Sequence, residues 1–179
     1  MGCGACAYAC PDKLQMQDTQ NLARRPMLVR ESSVKTTDLS QAAAICPGIQ
    51  WPENPPCPSE GHPELYDEWG PILEIWEGHS TDDEIRFKGS SGGVVAGLAL
   101  ACIETGGMAG ALHVKARLDA PLLNETVLSC DRQSLLEGAG SRYSPASPCE
   151  ELAQIEQADG PCVFIGKPCD VAAVAKARA

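Results

Sequence analysis

Residues 3–11 read Cys-Gly-Ala-Cys-Ala-Tyr-Ala-Cys-Pro, three thiols within eight residues, separated by small spacers and closed by a proline. Gly4, Ala5, Ala7 and Ala9 allow a tightly coiled backbone that aims successive sulfurs into one small volume. Pro11 fixes φ, carries no N–H donor and ends the coil directly after its last sulfur. The spacing is that of the bacterial ferredoxin run C-x-x-C-x-x-C-x-x-x-C-P from its second cysteine onward, because the first would stand ahead of Met1. In two-cluster ferredoxins the fourth cysteine of a run serves the other cluster, and a distant Cys-Pro completes the first three. Cys46-Pro47 is such a pair, and counting back from Cys46 reaches Ala42, Leu39 and Thr36, so no second full run accompanies it.

The expectation is one 4Fe-4S cluster on Cys3, Cys6, Cys46 and an upstream cysteine, with Cys10 as substitute ligand or spare thiol. The chain is then expected to begin before Met1 in its full form. Two other readings use the same residues: a structural zinc site, or cysteines that are small buried hydrophobes. Structural zinc sites usually pair two short knuckles, and His62, His79 and His113 supply no second one.

With 179 residues the chain can hold one good domain and a small appendage. Ten cysteines without an apolar leader segment do not read as a secreted disulfide framework and suit a reducing cytoplasm. A net charge of -10 argues against binding nucleic-acid backbone or anionic membrane surfaces. The apolar run from Val94 to Ile103 is far shorter than the roughly 20 residues that span a bilayer, and it reads as a helix buried on all sides. No membrane insertion is expected.

Residues 1–50 form the cysteine module, with a short strand at Met27–Arg30 in a polar stretch. Residues 51–81 are a Pro-rich linker whose prolines, from Pro52 to Pro63, exclude regular helix; Cys57 lies in it as a stray thiol. Ile72–Glu77 alternates as a strand does. Residues 82–160 and 161–179 then alternate helix and strand signals: helix from Gly92 to Glu104, strands at Gly110–Arg117 and Glu125–Ser129, and a short helix capped by Ser134 and ending near Gly138. An amphipathic helix follows at Cys149–Ala158, then a buried strand at Cys162–Ile165 and a last helix capped by Asp170. The fold class is α/β, with α+β as the alternative. Cys102, Cys130, Cys149 and Cys162 read as core or incidental.

Three loops carry chemistry. Gly89, Ser90, Ser91, Gly92 and Gly93 precede the apolar helix, where free N–H groups favour an anion such as a pyrophosphate; a plain glycine turn packing that helix explains them equally. Ser141, Arg142, Tyr143 and Ser144 offer a planar donor fork and a stacking face, or merely a polar connection. Gly166-Lys167-Pro168-Cys169-Asp170 follows a strand, where ligands gather in open α/β sheets. Helix-start placement and Lys167 are expected to lower the Cys169 thiol pKa, making it a metal ligand or reactive thiol rather than a buried structural cysteine.

Taken in order, Cys-Gly-Ala-Cys-x-x-x-Cys-Pro, Gly-Ser-Ser-Gly-Gly-Val, Gly-Ser-Arg-Tyr-Ser-Pro and Val-Phe-Ile-Gly-Lys-Pro-Cys-Asp resemble the beta-subunit family of coenzyme F-420 hydrogenases and dehydrogenases. The resemblance implies an iron–sulfur flavoprotein oxidoreductase, in which a 4Fe-4S cluster and FAD exchange electrons and the flavin exchanges hydride with a deazaflavin or other small substrate. It implies a redox partner protein or subunit and a ferredoxin-like module followed by an incomplete flavin-binding domain, in a chain that is the N-terminal part of a longer one. Cys3, Cys6, Cys10 and Cys46 carry over as cluster candidates, the loops at 89–93 and 141–144 face flavin or substrate, and Cys169 ligates a further cluster. The alternatives are an electron-transfer or scaffold subunit that binds a cluster only, and a structural zinc protein.

Overall fold

The computed structural model describes residues 2–19, 23–29, 35–51 and 61–178. Cys57 lies outside them. The chain opens with helix α1 (Ala5–Ala9), followed by an antiparallel ribbon of β1 (Leu14–Asp18) and β2 (Arg24–Leu28) in which Met16 faces Pro26. Strand β2 covers part of the expected Met27–Arg30 segment but starts earlier, because Arg24 and Arg25 pair with Asp18 and Gln17 across the ribbon. Helix α2 (Ser40–Ala44) packs on α1.

Two expectations for the next stretch fail. A single helical turn, α3 (Tyr66–Trp69), forms inside the Pro-rich segment, entered through a 3-10 turn that begins at Pro63. Proline is tolerated there because the first residues of a helix have no intrahelical N–H partner to lose. Ile72–Glu77 forms no strand, and Leu73, Ile75 and Trp76 are exposed. Alternation makes a strand only where a neighbouring edge takes up its N–H and C=O groups, and here none does.

Helices α4 (Asp83–Lys88) and α5 (Val94–Glu104) lead into β3 (Gly110–Ala116), β4 (Asn124–Ser129), α6 (Arg132–Glu137), α7 (Ala153–Glu156), β5 (Cys162–Phe164) and α8 (Pro168–Arg178). The sheet runs β4-β3-β5, with β4 antiparallel and β5 parallel to β3. Successive strand residues point to opposite faces, so one sheet serves two cores. Ala111 and Val163 meet Ile85, Ala99, Leu100, Leu135 and Leu136 of α4, α5 and α6. Leu112 and Phe164 meet Cys3, Ala5, Cys149, Leu152 and Ala173 on the other side. The architecture is α/β, and the N-terminal cysteine segment contributes to the second core directly.

Several boundaries move for identifiable reasons. Ser91, Gly92 and Gly93 have φ of 50°, 68° and 72°, which cannot continue into a right-handed helix, so α5 begins at Val94 rather than Gly92. Helix α5 is not buried on all sides: Val95 and Leu98, three apart and on one face, are 60% and 64% exposed. The cap of α6 is Asp131, which accepts from Ser134 N at 2.8 Å, with Ser134 as its partner three residues on. The helix expected over Cys149–Ala158 divides into a 3-10 turn at Pro148–Glu151 and α7. Asp170 lies within α8 and reaches back to accept from Lys167 N at 2.9 Å, while Pro168 takes the first position. Strand β5 is half-buried and ends at Phe164.

Candidate functional site

The carboxyl ends of the parallel pair β3 and β5 face the start of α5, and between them lies a cavity of about 810 Å³. Its wall includes Gly89, Ser90, Ser91 and Gly93 from the first loop, Ser141, Arg142, Tyr143 and Ser144 from the second, and Gly166, Lys167 and Asp170 from the third. Gly92 is not in that wall: a side chain there would meet His79 Cβ at 2.8 Å, on the opposite side of the turn. The three loops are joined by polar contacts. Ser141 N donates to Ser90 Oγ at 2.7 Å, tying the second loop to the first.

Arg142 does not aim its donor fork into the cavity alone. Its Nε donates to Asn124 Oδ1 at 2.9 Å and its Nη2 to the Pro121 carbonyl at 2.6 Å. Asn124, buried at the start of β4, in turn donates to the Ser144 and Pro145 carbonyls at 2.8 and 3.1 Å. Arg142 and Asn124 thus brace the loop, while Tyr143 leaves its ring 96% exposed at the rim.

Two further residues of the wall carry no signal in the sequence. His113 of β3 is buried in the cavity wall, shares a hydrogen bond with Ser129 Oγ at 2.8 Å and lays its ring over Gly138. Arg24, also lining the cavity, closes on both oxygens of Glu150 at 2.6 and 2.8 Å. A histidine or arginine on a strand carries no local signal of its role; only the tertiary fold brings these residues to the site.

Burial pushes the His113 imidazole below its ordinary value, and Lys115 adds to the effect. A histidine held neutral by the fold contributes stability above its unfolded value, near 6.5, that is lost as pH falls through the lower folded value. Wild-type stability is therefore expected to drop between about pH 7 and pH 5, with a shallower drop in His113→Gln, as read by urea unfolding across that range.

Three residues of the wall neighbour a cysteine in sequence. Gly2, Pro148 and Asp170 line the cavity, and each adjoins a cysteine: Cys3, Cys149 and Cys169. Cys149 N donates to the Cys3 carbonyl at 2.8 Å, Ser147 Oγ donates to the Gly2 carbonyl at 2.8 Å, and the Cys3 and Cys149 thiols are hydrogen-bonded to each other. Gly4, at φ 90°, permits this approach, since a side chain there would stand 2.7 Å from Glu150 N. The bond from Cys149 holds the Cys3 thiol down to about 6 against its burial, helped by the Ala5 N–H, and the same bond pushes Cys149 far up. Cys149 lies in the core, as expected, and Cys3 reaches it there.

Cys6 is pushed up by burial and by the neighbouring Cys3 and Cys46. Cys10 is buried at the end of α1, where its N–H bonds back to the Cys6 carbonyl at 3.1 Å. Cys169, at the second position of α8, has its thiol pushed up rather than down. Its burial and the adjacent Asp170 outweigh Lys167, whose Nζ is paired with Asp170 Oδ2 at 2.8 Å. Among the described residues no three Cys, His, Asp or Glu side chains are drawn to the spacing that holds one metal ion. A zinc ion needs its thiolates about 2.3 Å from a single centre, and the cysteines around α1 are not gathered that tightly.

A mixed sheet with three loops around one cavity defines an α/β layer, and comparison with known proteins shows what it is similar to. Residues 75–154 match the family described as Coenzyme F420 hydrogenase/dehydrogenase, beta subunit N-term, so that stretch is similar to a family of oxidoreductase subunits. The resemblance seen in the motifs is borne out there. Among curated proteins none matches the chain. No helix of the described residues is long and apolar enough to cross a membrane.

Proposed function

We propose that the chain is part of a cytoplasmic iron–sulfur flavoprotein oxidoreductase subunit, in which the cavity holds FAD and the cysteines around α1 hold a 4Fe-4S cluster. The observation that carries this reading is the shared wall: the lining residues Gly2, Pro148 and Asp170 are each bonded in sequence to a thiol-bearing residue. Electrons then pass between two redox groups without crossing solvent. FAD supplies the exchange between single electrons and hydride when bound.

The lining chemistry suits a flavin nucleotide. Val95, Ala96, Leu135 and Ile165 offer an apolar wall for a ring system, and the start of α5, with no side chain capping it, together with Lys167 and Arg25 offers positive potential for phosphates. The cavity lies within the range of about 300–1,000 Å³ typical of small-molecule sites. Asn124 and Arg142 keep the second loop in place, and Asp170 fixes Lys167 at the rim. Hydride exchange with a deazaflavin or another small substrate, and electron exchange with a partner subunit, complete the proposed activity.

Anaerobic purification tests the reading by colour and composition. Bound yellow flavin together with broad visible absorbance from iron and sulfide is the expected result. Brown protein without flavin would favour an electron-transfer subunit that binds a cluster only, and colourless zinc-loaded protein would remove both readings.

A further inference from the structure

We propose that Leu73–Glu77 is a docking strand, which pairs its backbone with the exposed sheet edge of a partner protein whose edge carries lysine or arginine. The proposal rests on the reading above for what the partner does, exchange of electrons with the subunit, and names the surface by which it is held.

The segment has the alternation of a strand and no mate. From Leu73 to Glu77 no backbone N–H or C=O has a hydrogen-bond partner among the described residues. Glu74 and Trp76, two apart, lie on one side: Trp76 Nε1 donates to Glu74 Oε2 at 2.8 Å, as in an extended chain, where alternate residues share a face. Leu73, Ile75 and Trp76 are 60%, 72% and 84% exposed. In strand addition the backbone ladder supplies affinity, and pockets for alternate side chains supply specificity.

Both ends of the segment are fastened. His62 N donates to the Ile72 carbonyl at 2.9 Å, closing the loop that carries α3, and Ser80 N donates to the Gly92 carbonyl at 2.8 Å. Gly61, at φ 104°, permits the first closure, since a side chain there would strike the Ile72 carbonyl. A segment held at both ends loses little freedom when a partner pairs with it, so little ordering opposes the association. Its far anchor also sets it beside the cavity. His79 and Ser80 close on Gly92, whose neighbours Ser91 and Gly93 line that cavity from the other side of the turn.

Charge selects the partner. Between residues 61 and 85 the chain has eight Asp and Glu and no Lys or Arg. Asp67, Glu68, Glu74 and Glu77 are exposed and form no ion pair among the described residues. Sheet edges of natural proteins are commonly guarded by lysine, whose charge suits this segment. A second copy of the chain, at a net charge of -10, and an anionic membrane would both be repelled.

Hydrogen–deuterium exchange of the whole chain tests the pairing, with a capped peptide of alternating lysine and valine as the probe edge and its glutamate–valine counterpart as control. Wild type is compared with Ile75→Pro, with the double variant Glu74→Lys and Glu77→Lys, and with Leu122→Ser at an exposed site elsewhere. In the free protein the amides of residues 73–77 are expected to exchange as an open chain does. Saturating lysine–valine peptide is expected to slow them at least about tenfold in wild type and Leu122→Ser. Ile75→Pro, which lacks an N–H to pair, and the charge-reversed variant are expected to bind the peptide at least about tenfold more weakly, read by the shift of tryptophan emission. Slow exchange in the free protein that disappears on dilution would assign the strand to a second copy of the chain and overturn the proposal. So would equal binding of the glutamate–valine peptide, equal binding by Ile75→Pro, or no slowing in wild type. Titration of FAD into the same samples reads the flavin site separately. Loss of flavin binding with pairing intact overturns only the electron-exchange reading, and loss of pairing with flavin bound overturns only this proposal.

Discussion

Arg24→Ala is expected to lower the thermal midpoint by about 6–12 °C, corresponding to about 3 kcal/mol for a chain of this size. Arg24 and Glu150 are each 15% exposed, and the guanidinium grips both carboxylate oxygens. Removing one partner of such a pair strands the other charge in low dielectric, which costs far more than the pair contributes. Burial already pushes the Glu150 carboxyl up against the pull of Arg24. In the variant that upward push is unopposed. A carboxyl whose folded value lies above its unfolded one stabilises less as pH rises, so the deficit should be larger at pH 8 than at pH 5. A double variant, Arg24→Met with Glu150→Met, should recover most of the loss, because matched apolar groups can replace a buried ion pair. Thermal scans of the three proteins at the two pH values check all of this. The structural consequence is specific: the pair clamps the β1–β2 ribbon onto the turn that carries Cys149.

The second large effect is expected from Gly138→Ala. A β-carbon there would stand 2.4 Å from Cε1 and 2.8 Å from Nδ1 of His113. The glycine is not required by its backbone, which has φ of -94°, but by the imidazole that occupies its missing side chain's place. Overpacking of this kind costs about 1–3 kcal/mol, here about 2 kcal/mol, and displaces a ring that forms part of the cavity wall. Flavin affinity is expected to fall by about tenfold, or about 1.4 kcal/mol. His113→Ala combined with Gly138→Ala should regain stability, since the clash is gone, as denaturant unfolding and flavin titration of the single and double variants would measure. An unchanged midpoint in Gly138→Ala would show that the ring moves aside at no cost.

Much of the α/β layer was legible because its signals are local. Gly110 to Arg117 contains β3, Glu125 to Ser129 lies within β4, and the short helix ends at Gly138, all where hydrophobic pattern and turn residues set them. What failed was what depends on partners. Ile72–Glu77 has a strand's alternation but no edge to pair with, and the run from Val94 to Ile103 has the composition of a buried helix while one face stays open. Residue chemistry read in isolation also misled at Cys169. A cysteine at a helix start beside Lys167 is expected to ionise readily, yet burial of the thiol and the adjacent Asp170 carboxylate, which claims the lysine, push it up. The three loops were visible as glycine, proline and serine clusters, but their meeting at one cavity is a property of the sheet. His113, Asn124, Arg24 and Cys149 were invisible for the same reason, being single residues whose partners lie 16 to 146 positions away.

The central claim is that flavin occupies the cavity between α5 and the ends of β3 and β5. Titration of FAD into anaerobically purified protein, followed by quenching of flavin fluorescence, tests it most directly when wild type is compared with Val95→Trp, Ala96→Phe and Leu98→Trp. Val95 and Ala96 line the cavity, and Leu98 is exposed outside its wall. The two cavity variants should bind at least about tenfold more weakly, with Leu98→Trp unchanged. Equal affinity in all four proteins, or none in wild type, would contradict the account.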